Sequence, residues 1–246
     1  MCMQELFRVL FYQPTFNAFV ALYNVIPDVG IVIVVLTVFF KLIVYPLTSI
    51  SIRAQKSLAD LQPKIDELKK THKDNQQLLA TATMSLYKEH KVNPFGSCLP
   101  LLLQLPIFIA LYWVLHDGLT TSNFDLLYSF VRHPESIKAI SLGVFDLREK
   151  STVVALLAAG AQFWQAKMMT RNRPPVTAGK GGKDEGMASM MNKQMLYMMP
   201  LMTLIIGFQL PAGLSLYWLV STLLTGAQQM ILFKKKPQSD GTVMTV

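Results

Sequence analysis

Apolar residues concentrate in five runs along this chain, at residues 29–52, 98–115, 152–169, 195–209 and 213–233. About 20 apolar residues cross the hydrocarbon of a bilayer, so the pattern predicts five transmembrane helices. The third run is the weakest, diluted by Gln162, Gln165 and Lys167, and the fourth is short. Between the first two runs the period changes. Leu58, Leu61, Ile65 and Leu68 recur at helical spacing, as do Leu78, Leu79, Met84, Leu86 and Tyr87 less strictly. The polar stretch THKDNQQ separates the two stripes, which predicts a cytoplasmic helical hairpin. Such stripes suffice to hold the two arms together, and they also suit a docking partner. In the first arm, DELKK predicts an ion pair between Asp66 and Lys70.

The expected architecture is an all-α polytopic membrane protein. Residues 1–28 form an external segment with Leu6, Val9 and Leu10 on one face, lying in the interface or capping the bundle. The spans cover 29–53, 96–116, 151–169, 194–209 and 213–233. The hairpin covers 54–93, and 117–150 is an external loop, part of it helical. Residues 170–193 are rich in Pro, Gly and Lys and read as a flexible cytoplasmic loop. Residues 234–246 form a cytoplasmic tail. MCMQELFRVLFYQPTF lacks the basic start and pure apolar core of a cleavable signal.

Composition agrees with this reading. The chain is 52% hydrophobic and 15% charged, unlike a soluble domain of its length. Its net charge of +8 is distributed unevenly. Lys56, Lys64, Lys69, Lys70, Lys73, Lys88 and Lys91 fall on one side of a five-span layout, with the bases of 167–193 and Lys234 to Lys236. The other side holds Arg8, Arg132, Lys138, Arg148 and Lys150 among acidic residues. Basic loops face the cytoplasm, so the N-terminus is expected outside and the C-terminus inside. The basic residues are spread over separate loops, which argues against direct nucleic-acid binding.

The sequence offers no catalytic constellation. His72, His90, His116 and His133 are scattered, Cys2 and Cys98 lie far apart, and GKGGK lacks the spacing of a phosphate loop. No span interior carries an acid, so an ion-coupled transporter or an intramembrane protease has no evident machinery. No metal or cofactor is expected. The polar residues of the spans are soft: Gln104, Gln162, Gln165, Thr203, and a series Ser215, Trp218, Thr222 and Thr225 on one helical face. They fit interhelical hydrogen bonding, and they equally fit the lining of a water-filled recess. Lys41 interrupts the first run and Arg53 follows its end. Arg53 either snorkels to headgroups or faces protein and water. Met191, Met195, Met198, Met199 and Met202 crowd the fourth run and suit packing, lipid or adaptable apolar partners.

Three stretches carry a resemblance. NPFGSCLPLLLQLPIFIALYWVL (93–115) closely resembles the second span of bacterial YidC-type membrane protein insertases, which have mitochondrial and chloroplast relatives. PLTSISIRAQKSLADLQPKIDELKKTHK (46–73) resembles their first span running into the hairpin, and QMLYMMPLMTLIIGFQLPAGLSLYWLVS (194–221) their fourth and fifth. The resemblance implies five spans around a hydrophilic groove, open to the cytoplasm and to lipid and closed outside. The family's central arginine falls on Arg53, and its groove glutamine and tryptophan on Gln162 and Trp218. Gln104, Ser215 and Thr222 complete the candidate groove. The large periplasmic domain and the long basic tail of some members have no counterpart in this sequence.

The implied function is insertion and chaperoning of membrane proteins in the bacterial inner membrane, not bond-making catalysis. The implied partners are nascent membrane proteins, the ribosome, a Sec-type translocon and lipid. The alternatives are a small-solute transporter and a chaperone that only helps other spans pack.

Overall fold

The computed structural model describes residues 2–72, 75–93, 96, 99–116, 124–134, 136–143, 145–170 and 194–234. It is 79% helical. The loop expected at 170–193 and the tail lie almost wholly outside the described residues.

Helix α1 (Cys2–Phe7) passes through a π-helical turn (Arg8–Tyr12) into α2 (Gln13–Tyr23). Pro14, which has no N–H to donate to the preceding turn, sits directly after the π turn. Leu6, Val9 and Leu10 are exposed, whereas Phe16, Phe19, Val20 and Tyr23 are buried. Helix α3 (Val29–Ile43) begins at Asp28, whose carboxylate accepts the Ile31 N–H at 3.0 Å and closes a free helix end.

The run at 29–52 does not form one helix, as the sequence reading expected. α3 ends at Ile43 and α4 (Tyr45–Thr71) leaves it at 70°. Pro46 in the first turn of α4 explains the break. It has no N–H to donate to the turn behind it, and its ring crowds the carbonyl four residues back. Consequently α4 carries the end of the apolar run and the first amphipathic stripe on one continuous helix. Leu61 and Ile65 are buried on it.

Helix α5 (Gln76–Glu89), capped by the Asn75 side chain, packs against α4. Lys64 Nζ lies 2.9 Å from His90 Nε2 just beyond the end of α5. Asp66 pairs with Lys69 at 3.3 Å rather than with Lys70. Spacings of three and four both bring side chains together on a helix, and here the shorter one is used.

Among the described residues the bundle also contains α6 (Leu99–His116), α7 (Thr152–Thr170), α8 (Met199–Gly207), entered through a π turn at Gln194–Met198, and α9 (Ala212–Lys234). Ala212–Phe233 is long and apolar enough to cross a membrane by itself, and the bent α3–α4 pair passes the same test as a unit. Leu102–His116 and Leu196–Gly207 are shorter apolar helices. α9 is the hub, packing against α3, α4, α6 and α7.

The segment between α6 and α7 was expected to be partly helical. Among the described residues it holds only a 3-10 turn (Phe124–Leu126). It also forms an antiparallel hairpin of β1 (Ile140–Ser141) and β2 (Phe145–Asp146). Positive φ at Leu142 (51°) and Gly143 (72°) turns the chain between the strands, a backbone no helix accommodates.

This segment lies over the end of the bundle where α3 and α9 begin. Ala212 and Gly213 donate their N–H groups to the carbonyls of Glu149 and Leu147, and Asn17 accepts from the Tyr128 N–H. The main apolar core sits at that same end, built from Phe16, Phe19, Val32, Leu36, Leu111 and Leu214 among others.

Asp28 joins this outer layer to α3. Its carboxylate accepts from Ser141 Oγ at 2.7 Å and from the Leu142 N–H at 2.6 Å. Burial alone raises its pKa, but bonds from Leu142, Ile31, Ser141 and Gly30 outweigh burial and hold it below the ordinary value. A depressed carboxyl contributes stability above its unfolded pKa of about 4, and that stability is lost as pH falls through the folded value. Protease resistance of residues 124–148 should therefore drop in the wild type below about pH 4. Asp28→Asn, which can still cap α3, should flatten that step. An identical acid profile in both proteins would remove Asp28 as the titrating contact.

Candidate functional site

The polar residues of the apolar helices converge on α9, which hands a different side chain to each neighbour. At its start, Ser215 is buried and donates to the Gly207 carbonyl of α8 at 3.4 Å. Trp218, half-buried, meets Phe108 of α6 edge-on, with ring centroids 5.6 Å apart. Thr222 is buried and donates to Gln162 Oε1 of α7 at 3.4 Å. Near the other end, Gln228 Nε2 binds Thr48 Oγ1 (3.0 Å), Ser49 Oγ (2.9 Å) and the Tyr45 carbonyl (3.2 Å). That cluster ties α9 to the start of α4, directly after the bend.

Between these contacts lies a hydrogen-bonded ring around a cation. Lys41 of α3 donates to Thr225 Oγ1 at 2.9 Å and, more weakly, to Gln104 Oε1 of α6 at 3.4 Å. Gln104 Nε2 donates to the Tyr217 hydroxyl, which also bonds the Ser221 side chain. Thr225 Oγ1 donates to the Ser221 carbonyl at 2.8 Å and closes the ring. Tyr217 and Ser221 are buried, while Lys41, Gln104 and Thr225 are half-buried. Lys41 lies five residues beyond Leu36, the last buried core residue of α3, and so about 7.5 Å farther along the helix axis.

The charge of the ring is the informative point. Both acceptors on Lys41 are neutral, and neither salt bridge among the described residues involves it. A charge among apolar helices is costly unless hydrogen-bonded. The ring solvates the ammonium without neutralising it. An ammonium has three N–H donors, and the ring engages two acceptors.

Arg53 stands apart from this ring. It is exposed, on α4 beyond the 70° bend. Its guanidinium makes no hydrogen bond or ion pair among the described residues, and only its carbonyl is engaged, by Ser57 Oγ at 3.1 Å. Of the candidate residues, Gln104 joins the cation ring. Gln162 meets Thr222, Trp218 sits one helical turn from the ring, and Ser215 is a plain interhelical contact.

The sequence reading noted Lys41 as an interruption of the first run and, through the resemblance, placed the family's central arginine on Arg53. It missed Tyr217, Ser221 and Gln228 altogether. The available signal was the position of Lys41, well inside the run while Arg53 lies at its edge.

Comparison with known proteins agrees with the resemblance. The family described as 60Kd inner membrane protein matches residues 21–239. A Fusobacterium nucleatum protein named "Membrane protein insertase YidC" is 34% identical over 206 residues, covering 84% of this chain and 86% of that protein. A Geobacter protein of the same name is 34% identical over 225 residues, covering 90% of this chain and 36% of that protein. One from Neisseria gonorrhoeae is 33% identical over 240 residues, covering 96% and 38%. The chain thus spans little more than a third of the Geobacter and Neisseria relatives.

Proposed function

Because this chain belongs to the 60Kd inner membrane protein family, we propose that it is an inner-membrane insertase and chaperone for other membrane proteins. The observation that carries the reading is the Lys41 ring, a cation of α3 solvated by neutral side chains of α6 and α9 within an apolar bundle. In this reading five spans, formed by the bent α3–α4 pair, α6, α7, α8 and α9, enclose a polar groove. The N-terminus lies outside and the C-terminus in the cytoplasm.

A hydrophilic segment of the substrate enters from the cytoplasmic side. Arg53, exposed after the bend, meets acidic residues at the mouth, and Lys41 receives them inside. Gln104, Gln162, Trp218 and Thr222 supply uncharged polar contacts along the way, and Ser215 closes the polar face against α8. The apolar core beneath the outer loop blocks free passage through the bundle. The substrate's own apolar helix leaves sideways into lipid, and its burial contributes about 0.8 kcal/mol per CH₂. The α4–α5 arms, basic and partly apolar, receive the substrate or a ribosome or Sec-type partner at the anionic inner leaflet. No bond is made or broken, so the work is one of transfer.

Reconstituting the purified chain into liposomes with a small single-span substrate tests this. The substrate's acidic segment should become protected from external protease only in vesicles that contain the chain. Equal protection in empty vesicles would overturn the insertase reading. A small-solute transporter would also leave protection unchanged.

A further inference from the structure

The ring contains a group whose task the groove reading leaves unexplained. Tyr217 is 2% exposed and contacts Lys41 through no hydrogen bond of its own. Its hydroxyl instead accepts from Gln104 Nε2 and bonds the Ser221 side chain. We infer that Tyr217 is a positioning residue that locks the Gln104 amide with its carbonyl toward Lys41, keeping the ammonium presented to carboxylates. This inference rests on the proposed polar groove and names the chemical class the groove selects, a carboxylate-bearing peptide segment.

The argument follows from donor and acceptor chemistry. An ammonium only donates, so the Gln104 atom facing it must be oxygen. An amide can rotate half a turn and exchange its two ends at little intrinsic cost. Turned the other way, it would present N–H groups to a cation in a poorly solvated site. The Tyr217 hydroxyl prevents this by accepting from Nε2, and the Ser221 side chain holds that hydroxyl from another side. Thr225 is fixed in the same manner, because its hydroxyl proton is committed to the Ser221 carbonyl. Both acceptors on Lys41 are therefore oriented by a second bond, Gln104 by the Tyr217 hydroxyl and Thr225 by the Ser221 carbonyl. A side chain held by one bond keeps rotamer freedom, and a preorganised site loses less on binding.

Tyr217→Phe removes the hydroxyl and little volume. The probes are a fluorescein-labelled peptide with four aspartates and its counterpart with four asparagines. Binding to the chain in nanodiscs is read by anisotropy. Tyr217→Phe should weaken the aspartate peptide about fivefold, the worth of one oriented hydrogen bond, and leave the asparagine peptide unchanged. In a Gln104→Met background the same change should have no further effect, since there is no amide left to orient. Should Tyr217→Phe not fold, Ser221→Ala removes the bond on the far side of the same hydroxyl and should give the same selective loss at smaller size.

Equal weakening of both peptides would overturn the inference, as would an undiminished effect in the Gln104→Met background. A wild type with no preference for aspartate would overturn it too. A wild type that binds the aspartate peptide in this Tyr217-dependent way yet inserts no substrate would leave the positioning role standing. It would remove the insertase reading.

Discussion

Replacing Lys41 by methionine should cut insertion of a substrate with an acidic translocated segment by about ten- to a hundredfold. A hydrogen bond to a charged group is worth about 1.5–3 kcal/mol, and each 1.4 kcal/mol is tenfold. Methionine matches the length of the lysine stem, so packing between α3, α6 and α9 should survive. Gln104 and Thr225 would keep their bonds to Tyr217 and Ser221. Lys41→Arg retains the charge and offers more donors to the same two acceptors, and should stay within about threefold of wild type. Arg53→Ala should cost about two- to threefold at low salt and less as salt rises, because an exposed charge is screened. The measurement is protease protection of a substrate series whose translocated segment carries zero to four acidic residues. Two outcomes would sink the assignment: a Lys41→Met protein as active as wild type, or an Arg53→Ala loss that matches it.

The second large effect is structural. Gly30→Ala should destabilise the chain by about 3 kcal/mol, although Gly to Ala normally stabilises a helix. A Cβ on Gly30 would lie 2.2 Å from Ser141 Oγ and 2.8 Å from Ser141 Cβ. The hydroxyl could rotate away only by giving up its 2.7 Å bond to Asp28. The Cβ is fixed by the β1 backbone, so the strand itself must shift. That shift would also pull Leu142 from Asp28 and loosen the outer layer from α3. Adding Ser141→Gly removes both clashing atoms and should recover most of the steric loss, though not the Asp28 bond. Thermal unfolding in nanodiscs, followed with protease sensitivity of 124–148, reads both effects. An unchanged midpoint for Gly30→Ala would mean that the strand yields freely and the junction is not tightly packed.

Particular elements show what the sequence conveyed. Helices α6, α7 and α9 lie on three of the apolar runs, because long apolar runs bounded by polar residues have few other solutions. The stripe of Leu58, Leu61, Ile65 and Leu68 was legible for the same reason, and Leu61 and Ile65 are its buried members. The family was legible from three unbroken stretches of residues.

The bend after Ile43 was not read, although its cause was in plain view. Pro46 sits inside an apolar run, where composition outweighs a single residue in any count of hydropathy. The β-hairpin at 140–146 was missed because strands two residues long carry no periodicity, and their turn depends on backbone angles at Leu142 and Gly143.

The candidate site divides in the same way. Its polar residue types are fixed by the sequence, since Gln104, Gln162, Thr222 and Thr225 are soft polar groups in apolar runs. Which of them meet is a property of the packed bundle alone. Lys41 and Thr225 are separated by 184 positions and lie 2.9 Å apart. Their contact depends on the rotation of α3 against α9, which no local pattern encodes. Arg53 and Lys41 look alike as basic residues in or beside one run. The bend at Val44 sends one to the exposed surface and leaves the other among three helices. Hydrophobic patterning acts locally and therefore survives in the sequence, whereas the placing of a charge requires the neighbours that only the folded chain assembles.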